Sequence, residues 1–336
     1  MAPASLGAVL LTMLAMLSPV QARPVSQQLA IIVNEADPSS QRIADYYQLK
    51  RGIPDAHVIK VNLPVGKKSI GRNKFDQVYQ QVKQKTPHHI QYYALAWSQP
   101  YKVGCMSITS AFAFGFDEAY CAKGCNRTRQ SAYFNSETRR PFQDLGIRPT
   151  MLLAGRSLDQ VRDMIDRGVD SDASRPKGTA YLVSTSNKAR NVRAQFYPQT
   201  ADKLGKRIDI RIVQTDALTG RNDVLFYFTG LKQVNAIESN RFVDGAIADH
   251  LTSTGGVLFG VKQMSLLRWL EAGATASYGA VVEPCAFVQK FPHPAIVIDR
   301  YTRGETLIEA YWKSVAWPGQ GLFVGEPLAA PYAGII

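Results

Sequence analysis

Short apolar runs alternate with helix-period segments along this chain, and that alternation limits the fold more than any other feature. "LAIIVN" (29–34) has the continuous apolar character of a buried strand. "SSQRIADYYQLKRG" (39–52) follows, with a Ser cap, an apolar stripe through Ile43, Tyr46, Tyr47 and the Lys50 stem, and a Gly stop. "HVIKVNLP" (57–64) reads as a second strand. "NKFDQVYQQVKQK" (73–85) repeats Phe75, Val78 and Val82 at helical spacing, and "IQYYALAW" (90–97) reads as a third strand. Strands without a polar face must be covered on both sides. The rhythm therefore predicts an α/β fold, a mostly parallel sheet with helices on both faces.

From about 99 to 149 the rhythm fails. That stretch is rich in Gly, Ser and Asn and reads as an irregular, cysteine-containing loop insertion over one edge of the sheet. The rhythm then resumes. "MLLAG" (151–155), "GTAYLVSTSN" (178–187), "IDIRIVQTD" (208–216), "DVLFYFTG" (223–230) and "GLFVGEPL" (321–328) read as strands. "SLDQVRDMIDRGVD" (157–170), "FVDGAIADHLTSTGG" (242–256) and "SLLRWLEAGA" (265–274) read as helices, and 293–315 as a helical segment broken at Gly304. The organisation expected is a leader at 1–22 and a single α/β domain at 23–336.

The leader is read from an uncharged apolar run at 6–17, too short to span a bilayer, followed by "SPVQA" with Val20 and Ala22 at the positions a signal peptidase reads. Cleavage after Ala22 makes the protein exported, periplasmic or secreted; the alternative is an uncleaved anchor. The n-region lacks Lys and Arg. No later stretch has the length and apolarity to cross a membrane. Export places Cys105, Cys121, Cys125 and Cys285 in an oxidising compartment, where an even count favours disulfides. Cys121 and Cys125 flank "AKG" and could close on each other, leaving Cys105 for Cys285. A zinc site from Cys105, Cys121 and Cys125 is the alternative, without C-x-x-C spacing or a fourth ligand. The net charge of +12 suits an anionic envelope component. The basic residues are scattered, and the densest run, "GKKSIGRNK", has no interleaved aromatics, which argues against nucleic acid.

Ligands of open α/β sheets lie beyond the carboxyl ends of the strands. The strand-end candidates are Asn34, Glu35 and Asp37; Ser98 and Gln99; Ser184, Ser186 and Asn187, with Arg190 a turn further; Thr229 and Gly230; Glu283 and Cys285; and Glu326. Of these, Asn34, Glu35, Ser98, Ser186, Asn187, Arg190, Thr229 and Glu283 are the expected ligand-binding set. His250 and Cys285 are the catalytic candidates, a base and a nucleophile. Asp249 precedes His250, but neighbours on a helix point apart, so it is poorly placed to orient the imidazole. Phosphate-loop, dinucleotide, nucleophile-elbow and zinc-helix motifs are missing, and no cofactor or metal is expected.

The segments "PFQDLGIRPTMLLAG", "RWLEAGATASYGAVVEPC", "KFPHP" and "GLFVGEPLAAP" resemble those of an uncharacterised family of exported bacterial proteins, over nearly all of the mature chain. More distantly, the order "DVLFYFTG", "GATASYGAV", "GETLIEAYWKSV" and "GLFVGEPL" resembles gingipain-like and caspase-like cysteine peptidases. That resemblance implies a caspase-like or flavodoxin-like scaffold. Those peptidases place a catalytic histidine in a Gly-His-Gly turn after the strand, where this chain has Thr229–Gly230–Leu231. Their cysteine ends the following strand, and none stands near Thr252–Val257. The expectation is an envelope binding or assembly protein lacking the peptidase dyad. The alternative is an exported hydrolase using His250 with Cys285 or a strand-end hydroxyl.

Overall fold

The computed structural model describes residues 24–122 and 124–334, so the expected leader lies outside the described residues. In chain order the elements are β1 (Leu29–Asn34), α1 (Pro38–Arg51), β2 (Val58–Val61), β3 (Ser69–Ile70), α2 (Arg72–Lys85), β4 (Tyr92–Leu95), β5 (Lys102–Val103), β6 (Met106–Ser107), α3 (Ile108–Phe114), α4 (Pro141–Leu145), β7 (Thr150–Leu152) and α5 (Leu158–Asp170). There follow β8 (Thr179–Ser184), α6 (Tyr197–Leu204), β9 (Asp209–Gln214), β10 (Val224–Thr229), β11 (Phe242–His250), α7 (Leu267–Glu271), β12 (Ala276–Ala280), α8 (Pro294–Thr302), α9 (Leu307–Lys313) and β13 (Gly321–Gly325).

Ten strands form one sheet in the order β2-β1-β4-β7-β13-β12-β11-β10-β8-β9. The run β2 to β7 pairs in parallel, as does the run β12 to β9. Between the two runs β13 lies antiparallel to β12 and bridges β7 at Val324 and Leu152. Strands β1, β4 and β10 are buried at every position, as strands covered on both faces must be. One helical layer holds α1 against α5 with α7 beside it; the other holds α8 against α6 and α9. The stretch 242–256, expected to be helical, is instead a strand to His250 and then a loop. A strand explains why successive side chains leave on opposite faces: Asp249 meets Tyr311 of α9, and His250 meets Trp269 of α7. The segment's Ala- and Gly-rich composition, with apolar residues too evenly spread to show a period, conceals this in the sequence.

The expected insertion at 99–149 carries β5, β6 and the helix α3, and its two strands complete a small sheet with β3, which precedes α2. Its covalent ties correct the expected pairing. Cys105 is joined to Cys121, and Cys125 to Cys285, 160 positions on. The Tyr120 ring stacks on Phe114 at 4.3 Å and carries Cys121 back to the β5–β6 hairpin, so Cys125 is free to reach the loop after β12. The zinc alternative needs thiolates, which the two disulfides remove.

Candidate functional site

Trp97 and Ser98 past β4, Gly155 past β7 and Phe259 in the loop after β11 line one cleft of about 240 Å³ with Asp37 and Arg156. Both runs of parallel strands therefore open on a common rim. Two helices start at this cleft. Asp37 caps α1 by accepting the Ser39 N–H at 2.9 Å, and Ser157 caps α5 by accepting the Gln160 N–H at 3.1 Å. Ser98 ties the two strand ends together: its hydroxyl donates to the Gly155 carbonyl (2.9 Å) and accepts the Gly155 N–H (3.2 Å).

A second cleft of about 200 Å³ lies over β8, β11 and β12, lined by Arg190, Leu251, Thr252, Ser253, Glu283 and Cys285 among others. A Cβ on Gly256 would stand 2.4 Å from the Gly279 carbonyl oxygen, so the loop after β11 lies directly against β12. Across the cleft runs a hydrogen-bond chain. Arg190 Nε donates to Thr252 Oγ1 (3.1 Å), and Thr252 in turn donates to Gln263 Oε1 (2.8 Å). Glu283, which also lines this cleft, accepts the Cys285 N–H at Oε1 at 2.8 Å. Lys290 is buried near Glu283, its ammonium 5.1 Å from the Phe287 ring centroid and without a hydrogen-bond partner among the described residues. Burial pushes that ammonium down to about 8, opposed by the Glu283 carboxylate.

Behind the cleft the polar groups face inward. Asp249 Oδ1 forms an ion pair with Arg193 Nη1 at 2.6 Å, and Oδ2 accepts from the Tyr311 hydroxyl at 2.9 Å, with all three side chains in the core. Burial raises the Asp249 carboxyl above the usual carboxylate range, against the pull of Arg193. Arg193 also donates to the Thr229 carbonyl at 2.9 Å. His250 is 1% exposed. Its Nδ1 accepts the Trp269 indole N–H at 3.0 Å, which assigns the proton to Nε2, and Nε2 donates to the Met264 carbonyl at 3.1 Å. Burial drives the imidazole down to about 3, so it stays neutral, and both nitrogens are already occupied.

The strand-end candidates thus divide. Asp37, Ser98 and Gln99 line the first cleft, and Arg190, Glu283 and Cys285 the second. Ser186 is bound to Asp216 through its hydroxyl (2.6 Å) and its N–H (2.8 Å), and Asn187 Oδ1 accepts the Arg190 N–H at 3.1 Å. Ser184 accepts from Asn191 Nδ2 at 2.9 Å. Asn34 is buried and brackets the Leu63 backbone at 2.9 and 3.2 Å, an internal staple rather than a cleft wall, while Glu35 is exposed beside it. Thr229 is buried. Glu326 is buried away from both clefts, bound to the Tyr47 hydroxyl at 2.6 Å. His250 lines neither cleft, and Cys285, its sulfur in a disulfide, offers no thiolate. Sequence reasoning missed Arg193, Gln263 and Lys290. The available signal was Asp249 itself, since an acid closing an apolar run needs a buried cation.

No family model and no curated protein matches the chain. Among solved structures it is similar to the Arg-specific cysteine proteinase gingipain R, at TM-score 0.56 and 10% identity, covering 92% of this chain and 79% of that one. It is similar also to the complex of Porphyromonas gingivalis RgpB pro- and mature domains, at TM-score 0.50 and 9% identity, covering 90% and 79%. Likeness at such identities shows the fold alone: a caspase-like, peptidase-like scaffold. No matching family model stands behind the resemblance to an uncharacterised exported family.

Proposed function

We propose that this chain is an exported binding or assembly protein of the cell envelope, a single domain over 23–336, that recognises its ligand at the strand-end rim without cleaving it. One observation carries the reading. A Cβ built on Gly230 would stand 1.9 Å from the Arg190 carbonyl oxygen, so the position after Thr229, where the resemblance implies a catalytic histidine, has no room for a side chain. Leu251 and Thr252 follow the next strand in place of a cysteine. A hydrolase built from His250 and Cys285 lacks both a basic imidazole and a thiolate. Export is supported by the two disulfides, and the charge of +12 supports an anionic envelope partner. Among the described residues no helix is long and apolar enough to cross a membrane.

The test is cleavage of a mixed peptide library by the purified full-length chain. The wild type is expected to match a heat-denatured control. Turnover that disappears in Thr252→Ala or His250→Gln would overturn the reading.

A further inference from the structure

Resting on that binding reading, we infer that the cleft over β8, β11 and β12 receives a free α-amino acid in its zwitterionic form. Arg190 and Glu283 both line this one cleft, and among the described residues neither is in an ion pair with the other or with any other side chain. A simple anion would meet Glu283 unfavourably and a simple cation would meet Arg190 unfavourably. A ligand bearing both charges satisfies both residues.

Each charge is held by its own support and keeps a free edge. The backbone of Arg190 is bound by Asn187 and its Nε by Thr252, which leaves both terminal guanidinium nitrogens without a partner among the described residues. Those two nitrogens suit a carboxylate. Glu283 gives Oε1 to the Cys285 N–H and keeps Oε2 for an ammonium group. The Cys125–Cys285 bridge ties the loop behind it to the insertion. Lys290, on which Glu283 acts electrostatically, does not line the cleft. Leu251, Pro284 and Ala286 offer a small apolar wall, and the Ser253 hydroxyl has no partner among the described residues. The volume of about 200 Å³ corresponds to roughly seven waters at ~30 Å³ each, room for a small amino acid.

Calorimetric titration of the full-length chain with L-alanine tests this, alongside propionate, ethylamine and inorganic phosphate, and with glycine, serine and glutamate as further amino acids. Alanine is expected to bind, with propionate and ethylamine each weaker by about tenfold or more, as loss of one charge-assisted contact implies. Arg190→Gln and Glu283→Gln are each expected to weaken alanine binding by about tenfold or more while leaving the melting temperature near that of the wild type. Propionate or phosphate binding as tightly as alanine would overturn the inference, as would the absence of binding by all four amino acids. If that absence comes with no peptide cleavage, only this inference falls; cleavage of peptides brings down the binding reading beneath it.

Discussion

Arg190 and Arg193 stand three positions apart after β8 and have opposite surroundings. Arg193 is buried, and its guanidinium is bound to Asp249 and to the Thr229 carbonyl. Arg190 is half-buried on a cleft wall, held at Nε alone, with its outer nitrogens open. The same contrast separates the Asp249–His250 pair inside from Glu283 at the rim. Where a peptidase-like scaffold would set out a base and a nucleophile, this chain has turned its ionisable groups inward and joined them to the core. At the rim it leaves Arg190 and Glu283 on one cleft.

Perturbing the inner arginine is the strongest way to break that contrast. Arg193→Ala leaves the Asp249 carboxylate buried and unpaired, and is expected to cost about 3–5 kcal/mol in chemical denaturation. Arg190→Ala should change stability by no more than about 0.5 kcal/mol, and equal losses would erase the distinction. Next in size is the covalent tie at the cleft. Replacing Cys125 and Cys285 together by Ala is expected to lower stability by about 2–4 kcal/mol, read as a shift in denaturant midpoint. Gly230→Ala follows, at about 1–3 kcal/mol, because the new methyl meets a backbone carbonyl that cannot swing aside. A variant as stable as the wild type would show that the turn can house a side chain after all.

The smallest effect per step is pH dependence. His250 titrates at about 3 when folded and near 6.5 when unfolded. Between those values the unfolded chain binds a proton that the native chain refuses, so stability falls as pH drops from about 6.5 towards 3, by about 1.4 kcal/mol per pH unit. His250→Gln retains an acceptor and a donor without that proton, and its stability profile should be flatter in this range by about that slope. Unchanged profiles would mean that His250 is not sealed in the core.

The sheet and its helices were legible in the sequence because strands covered on both faces must read as unbroken apolar runs, and "LAIIVN" and "DVLFYFTG" do. β11 was not legible: "FVDGAIADH" offers neither a period of two nor one of 3.6. The strands β3, β5 and β6 have two residues each, too few for any period to register. The disulfide partners were hidden for another reason. Cys125 and Cys285 are brought together by the path of the insertion, which no local spacing encodes. At the site, position past a strand end identified Arg190, Ser98 and Glu283 as cleft residues. It could not separate them from Asn34 or Thr229, since facing inward or outward is decided by the neighbouring strand's register.

The most direct test of a rim without a free thiol is intact-mass analysis of the folded, unreduced protein after treatment with an alkylating agent. No adduct is expected on the native chain, and alkylation of all four cysteines after reduction and unfolding. A single adduct on the folded protein, mapped to Cys285, would place a free thiol at the cleft and contradict the account.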